Sequence, residues 1–313
     1  MDIDPALAPI LAAMRDAFAP GAHLLEPAEF RARMERMAAA ARPPYPPGLE
    51  VSDRQVDLDG HRVPVRIYRP LDAGPTGTLL YLHGGGWVGG SVATHDASCA
   101  AIARDVPCNV VSVDYRLAPE HPYPAALDDS ILVAQWLCGS AAPAWVDRTR
   151  LAIGGDSAGA NLATAGCLKL RDTTGAVPFV MQALLYPCVD ADTERPSYRR
   201  NADAPFLDRA MMRWFIDLYL PGGAAQADGY ALPLRAASLA GLPPAFVMTA
   251  EFDPLLDDGV ELAARFVRDG VACDYRIARR LPHGFLRLRT VSAIAAAAYA
   301  ELIAALGRGL ARR

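Results

Sequence analysis

Ser157 stands in Gly155-Asp156-Ser157-Ala158-Gly159, with a glycine two residues to either side. The short apolar run Leu151–Ile153 ahead of it reads as a buried strand. Small and apolar residues after it, through Leu162, Ala163 and Leu168, keep helical spacing. A serine at a strand-to-helix turn of this kind is a nucleophile elbow. The turn strains the serine backbone, and a side chain at either flanking glycine would strike neighbouring backbone. The hydroxyl then stands clear of the sheet at the positive end of a helix. A serine hydroxyl is a weak nucleophile and needs a base, and the base needs an orienting acid.

With such an elbow the acid and then the histidine follow the serine along the chain. Of the histidines at 23, 61, 83, 95, 121 and 283, only His283 lies beyond Ser157. Its setting, Leu281-Pro282-His283-Gly284-Phe285, is a loop past the last expected strand. The acid should follow the strand expected at Ala245–Ala250, where Glu251, Asp253, Asp257 and Asp258 compete. Asp253 precedes a proline and so takes extended loop geometry at the strand end. Asp257 and Asp258 fall in the first turn of a helix, where acids favour the dipole. Glu251 is placed to pair with an arginine. We therefore assign Ser157, Asp253 and His283 as the catalytic residues. Acyl transfer also needs donors for an oxyanion. The glycines of His83-Gly84-Gly85-Gly86-Trp87 let backbone N–H groups face the substrate, so Gly85 and Gly86 are expected to join Ala158 as the oxyanion hole.

These loops need strands to end at one edge. Apolar runs at Thr78–Leu82, Asn109–Val113, Val180–Leu185, Ala245–Ala250 and Cys273–Ala278 alternate with helical stretches such as Asp96–Arg104 and Tyr123–Leu137. Strands buried on both faces between helices mean a mostly parallel α/β sheet. Val51–Leu58 and Val63–Tyr68, joined at Asp59-Gly60, read as a hairpin. Two helical stripes precede it, one through Leu7, Ile10, Leu11, Met14 and Phe18, the other through Phe30, Met34 and Met37. A proline-rich linker, Arg42–Gly48, separates them from the hairpin. Between Tyr186-Pro187 and Ala245 lie nearly sixty residues without a strand signal, including the aromatic stretch Met211–Tyr219. So much apolar surface in an insertion implies that it packs on something, and with residues 1–42 it could form a cap.

Bulk properties narrow the function classes. The 313 residues suit one large domain or two small ones. Hydrophobic content of 52%, charged content of 21% and a net charge of −4 give no reason to expect a nucleic-acid partner. Lys169 is the only lysine, which we read as compositional bias. Six dispersed cysteines without close pairs suggest neither a zinc site nor a disulfide framework. The acidic start, Met1-Asp-Ile-Asp-Pro, does not resemble a signal peptide. The alanine-rich run 293–300, flanked by Arg289 and Glu301, is too short to cross a bilayer. The expectation is a cytoplasmic enzyme without stable membrane association.

HGGGW at 83–87, DYRLAPEHPYPAALDD at 114–129, GDSAG at 155–159, DPLLD at 253–257 and HGF at 283–285 together resemble the hormone-sensitive-lipase-like, bacterial family IV carboxylesterases. The blocks span about 83 to 285, and Ala160, where the family often has glycine, is the one small departure. The resemblance implies an α/β-hydrolase fold with a mostly parallel eight-stranded sheet, a Ser-His-Asp mechanism on short- to medium-chain acyl esters, and neither metal nor organic cofactor. It implies an N-terminal cap segment with linker at 1–48 and a catalytic domain at 49–313 carrying a cap insertion near 188–225. His83 and the DYRLAPE segment resemble the family's supports for the glycine loop. Trp87, Phe206, Leu207, Trp214, Phe215 and Phe285 are the expected substrate-binding residues. Amides, lactones or carbamates could use the same machinery, and a non-catalytic binding relative would lack the serine or histidine present here. A lipase of long-chain emulsions would lead one to expect a secretion signal. Monomer and homodimer both remain open.

Overall fold

The computed structural model describes residues 1–19, 21–58, 60–71 and 76–311. β1 (Leu49–Leu58) and β2 (His61–Pro70) pair antiparallel with Leu58 opposite His61. Asp59 of the expected turn lies outside the described residues. There follow β3 (Thr76–Leu82), β4 (Asn109–Val113), β5 (Val146–Asp156), β6 (Met181–Leu185), β7 (Ala245–Phe252) and β8 (Cys273–Pro282). The eight strands are ordered β1-β2-β4-β3-β5-β6-β7-β8, parallel from β4 to β8.

The helices are α1 (Ala8–Ala17), α2 (Pro27–Ala40), α3 (Asp96–Asp105), α4 (Ala125–Cys138), α5 (Ala158–Thr174), α6 (Pro196–Arg200), α7 (Arg209–Tyr219), α8 (Leu256–Arg268) and α9 (Ala293–Leu310). Alternation along each strand splits the core in two, because successive side chains point to opposite faces. Leu80, Leu82, Ile153 and Val247 join one apolar cluster with residues of α4, α5, α7 and α8. Leu79, Tyr81, Ala152 and Phe246 join the other with residues of α3 and α9. The sheet is therefore the middle of three layers.

Boundaries moved where tertiary contacts overrode local pattern. β8 runs four residues past the expected end because it keeps pairing with β7, Phe252 opposite Pro282. α4 starts two residues late, after Pro124. α9 continues past the alanine run to Leu310 and is long and apolar enough, on composition alone, to cross a membrane. Its Ala295, Ala298, Leu302, Ala305, Leu306 and Leu310 are instead buried in the second cluster.

The N-terminal segment divides between the faces. Leu7 is fully buried in the cluster that holds Leu281, Phe285 and Leu286, while Phe30 belongs to the other cluster with Phe215 and Trp87. The linker is pinned, with Tyr45 donating to Asp96 at 2.9 Å and Arg42 paired with the same carboxylate at 2.8 Å. Among the described residues the insertion after β6 carries α6, α7 and short 3₁₀ turns and no strand.

Candidate active site

The ends of the parallel strands gather the chemistry. Ser157 follows β5 with φ 57° and ψ −119°, a strained conformation for a residue with a side chain. A Cβ on Gly155 would come within 2.1 Å of the Leu82 carbonyl oxygen, and one on Gly159 within 1.9 Å. The pentapeptide needs both glycines because the nucleophile turn lies against the end of β3. Ser157 N–H donates to the Leu185 carbonyl at 2.9 Å, which ties the elbow to the end of β6. The next residue, Tyr186, sets its ring edge-on to His283 at 4.6 Å and to Phe285 at 5.0 Å.

His283 directly follows β8, and its Nδ1 lies 2.7 Å from Asp253 Oδ2. Asp253 is fully buried, and its other oxygen accepts from Leu255 N–H at 2.8 Å. A carboxylate can only accept here, so Nδ1 carries the proton and Nε2 is left as the basic nitrogen. Among the described residues no hydrogen bond joins Ser157 Oγ to His283. Such contacts often tighten only when substrate binds. Of the rival acids, Glu251 accepts from Arg280 N–H at 2.7 Å, Asp257 from Ser197 N–H at 2.7 Å, and Asp258 from Val189 N–H at 3.2 Å. They brace the strand end and the insertion.

The glycine loop is set plane by plane. Tyr115 donates to the His83 carbonyl at 2.6 Å, and His83 Nδ1 to the Gly84 carbonyl at 3.0 Å. The Gly85 carbonyl accepts from Val88 and Gly89 at 3.2 and 2.9 Å. A trans peptide points its C=O and the following N–H in opposite directions. Fixing the Gly84 and Gly85 carbonyls therefore turns the N–H groups of Gly85 and Gly86 the other way. Among the described residues neither these nor the Ala158 N–H, at the start of α5, has a protein acceptor.

Asp156, Tyr81 and His95 form a buried group beneath this loop that the sequence had not singled out. Asp156 accepts from Tyr81 at 2.7 Å and Gly84 N–H at 3.0 Å, with His95 Nε2 at 3.3 Å. Burial alone would raise the Asp156 carboxyl, but His95 and the Tyr81 hydroxyl hold it well below the ordinary carboxylate range. Burial, with His95 facing it, pushes His83 down to about 3 and keeps it neutral. A signal existed in part: Asp156 sits inside the elbow motif. Positive φ at Trp87 (61°), Tyr186 (36°) and Arg280 (60°) has no counterpart in sequence pattern.

The family profile for the α/β-hydrolase fold matches residues 79–287, more than half of the chain. The chain belongs to the α/β-hydrolase family. Within it the branch is the hormone-sensitive-lipase-like one, and the protein is an ester hydrolase that acts on small ester substrates. The chain is similar to carboxylesterase NlhH of Mycobacterium tuberculosis, 40% identical over 99% of this chain and 97% of the relative. It is 35% identical to an ethyl acetate hydrolase of Pseudomonas putida over 86% of each chain. The solved structure of a thermostable Pseudomonas putida esterase superposes with TM-score 0.93 at 32% identity, covering 99% of this chain and 98% of that one.

The six expected substrate-binding residues of this hydrolase divide between the faces of the sheet. Leu207, Phe215 and the half-buried Trp214 belong to the cluster that holds Phe30 of α2, which lies 5.5 Å from Trp214 and 5.7 Å from Phe215. Phe215 sits on Gly86, where a Cβ would strike its ring at 2.2 Å. Trp87 is 1% exposed and stacks on Tyr219 with ring centres 4.2 Å apart. Phe206 and the buried Phe285 belong to the opposite cluster, with Tyr186.

Proposed function

We propose that the ester hydrolase works through Ser157, His283 and Asp253 on short- to medium-chain acyl esters, under a cap built from residues 1–48 and an insertion at about 188–225. Ser157 Oγ attacks the ester carbonyl while His283 Nε2 takes its proton. The tetrahedral oxyanion is received by the N–H groups of Gly85, Gly86 and Ala158. Collapse expels the alcohol, which takes the proton from His283 and leaves an acyl-enzyme. Water, deprotonated by the same nitrogen, then releases the acid. Asp253 holds the imidazole tautomer and offsets the positive charge it gains.

The observation that carries this reading is the 2.7 Å bond from His283 Nδ1 to the fully buried Asp253. A histidine so held, its ring 4.6 Å from that of Tyr186, the residue after the Leu185 that takes the Ser157 N–H, suits proton transfer. The contacts of α2 with α7 support the cap, and the bulk of Trp214, Phe215 and Leu207 supports a closed acyl pocket. The relative named ethyl acetate hydrolase supports a short acyl group. All six cysteines are free, which supports a reducing compartment, and we assign the enzyme to the cytoplasm, as a monomer or homodimer.

The test is a series of p-nitrophenyl esters from acetate to palmitate, with an anilide beside them. Each methylene buried in a pocket contributes about 0.8 kcal/mol until the pocket is full. The expected kcat/KM rises from acetate towards butyrate or hexanoate and falls steeply beyond about ten carbons. Ser157→Ala should lower kcat by roughly 10⁶-fold. A preference for palmitate, or activation by an emulsion surface, would remove the closed pocket. Substantial turnover by folded Ser157→Ala would remove the mechanism.

A further inference from the structure

A guanidinium from the N-terminal segment reaches the glycine loop. Arg31, on α2, donates from Nε to the Val88 carbonyl at 2.6 Å and from Nη2 to the Ala118 carbonyl at 2.7 Å. Its outer edge makes a two-pronged pair with Glu120, at 2.9 and 2.6 Å. Glu120 itself is held down at about 2, chiefly by its hydrogen bonds from Arg31, so the pair persists at every working pH. Three stretches distant in sequence therefore meet on one guanidinium.

The Val88 carbonyl shares a peptide plane with the Gly89 N–H. That N–H donates to the Gly85 carbonyl at 2.9 Å. The Gly85 carbonyl in turn shares its plane with the Gly86 N–H, which has no protein acceptor among the described residues. Guanidinium, peptide 88–89 and peptide 85–86 are thus aligned head to tail, ending on the Gly86 donor. Linked hydrogen bonds polarise one another, and a positive charge at the far end strengthens the last N–H as a donor. The same chain fixes the direction in which that N–H points.

We propose that Arg31 is a positioning residue for the oxyanion hole, acting through two peptide groups on the Gly86 N–H, so that the N-terminal helix contributes to transition-state stabilisation. The proposal rests on the reading of Gly85, Gly86 and Ala158 as that hole. It gives the N-terminal segment a role beyond walling the pocket. A residue that only stapled α2 in place would alter stability and KM. One that tunes an oxyanion donor alters kcat.

Steady-state kinetics with p-nitrophenyl butyrate, melting temperatures and inhibition by an alkyl trifluoromethyl ketone test this in the parent, Arg31→Ala, Arg31→Gln, Arg31→Lys and Glu120→Gln proteins. The ketone forms a tetrahedral adduct on the serine and so measures the hole directly. Arg31→Ala should lower kcat about 10- to 50-fold with KM within about threefold, and weaken the ketone by the factor lost in kcat/KM. Arg31→Lys, which keeps the charge, should recover most of kcat. Arg31→Gln keeps an N–H donor without charge and should recover little. Glu120→Gln, which leaves the Arg31 bonds to Val88 and Ala118 in place, should lower kcat by less than Arg31→Ala does. A folded Arg31→Ala protein with kcat within twofold overturns the proposal, and so does a loss confined to KM or a Gln variant as active as Lys. Should Arg31→Ala not fold, the Gln and Lys variants decide between the same outcomes. A parent that the ketone does not inhibit would instead overturn the oxyanion-hole reading, leaving Arg31 with nothing to position.

Discussion

The two loops that meet at Ser157 are held in opposite ways. On the histidine side the group proposed to react is a side chain, and one 2.7 Å bond to the buried Asp253 sets its tautomer and its rotation. On the side of the proposed oxyanion hole the groups in question are backbone N–H donors, so no single bond can aim them. Tyr115, His83, Asp156, Val88, Gly89 and Arg31 each hold one peptide group of that loop. In the proposed mechanism positioning is concentrated in one contact on the first side and distributed over many on the second. Single substitutions should therefore be severe on the histidine side and graded on the other.

The severe case is Asp253→Asn. The amide can present its N–H₂ to Nδ1 and favour the wrong imidazole tautomer, leaving Nε2 protonated and unable to accept from serine. The expected loss in kcat is about 10⁴-fold at nearly unchanged stability. Glu251→Gln, which disturbs the braces on Arg279 and Arg280, should cost far less. The large loss in kcat at Glu251→Gln, with only a small one at Asp253→Asn, would move the acid to Glu251 and dissolve the contrast.

A smaller effect separates the sides by pH. His83 titrates in the folded protein at about 3, below its value near ~6.5 in an unfolded chain. Between those values the unfolded state binds the extra proton, so stability falls as pH falls. The slope approaches about 1.4 kcal/mol per pH unit. Asp156, also depressed, adds its share only at lower pH, as pH drops through its folded value. Urea unfolding at pH 7, 6 and 5 should find His83→Asn less stable than the parent at pH 7. The gap should narrow by about 2 kcal/mol at pH 5, because asparagine does not titrate. A gap of constant size would mean that His83 is not the neutral support of the glycine loop.

What was legible in the sequence follows the same division. The elbow, His283 and Asp253 were readable because each is a chemically distinctive residue at a strand end, ordered along the chain. The sheet was readable because strands buried on both faces leave continuous apolar runs. The supports of the oxyanion loop were mostly not readable. Arg31 looks like any solvated arginine in an arginine-rich helix, and nothing local shows that it will meet Val88 and Ala118. His95 and Tyr81 matter through Asp156, a partner 61 and 75 residues away. Trp87, among the residues expected to bind substrate, has a positive φ and a stack with Tyr219 that no pattern announces.

The mildest substitution tests the distributed side most directly. Tyr115→Phe removes the hydroxyl that donates to the His83 carbonyl and keeps the ring that stacks on His83, with centres 4.1 Å apart. The carbonyl is left buried without that donor, which costs about 1–3 kcal/mol of stability. Yet the Gly84 N–H still reaches Asp156, and the Gly85 carbonyl still takes two donors. Those bonds keep the N–H groups of Gly85 and Gly86 aimed, so kcat should fall by no more than about fivefold, against 10²- to 10³-fold for outright loss of an oxyanion donor. Melting temperature and kcat on the butyrate ester, measured together, separate the two effects. A thousandfold drop in kcat would mean that the glycine loop hangs on one bond, as the histidine does on Asp253.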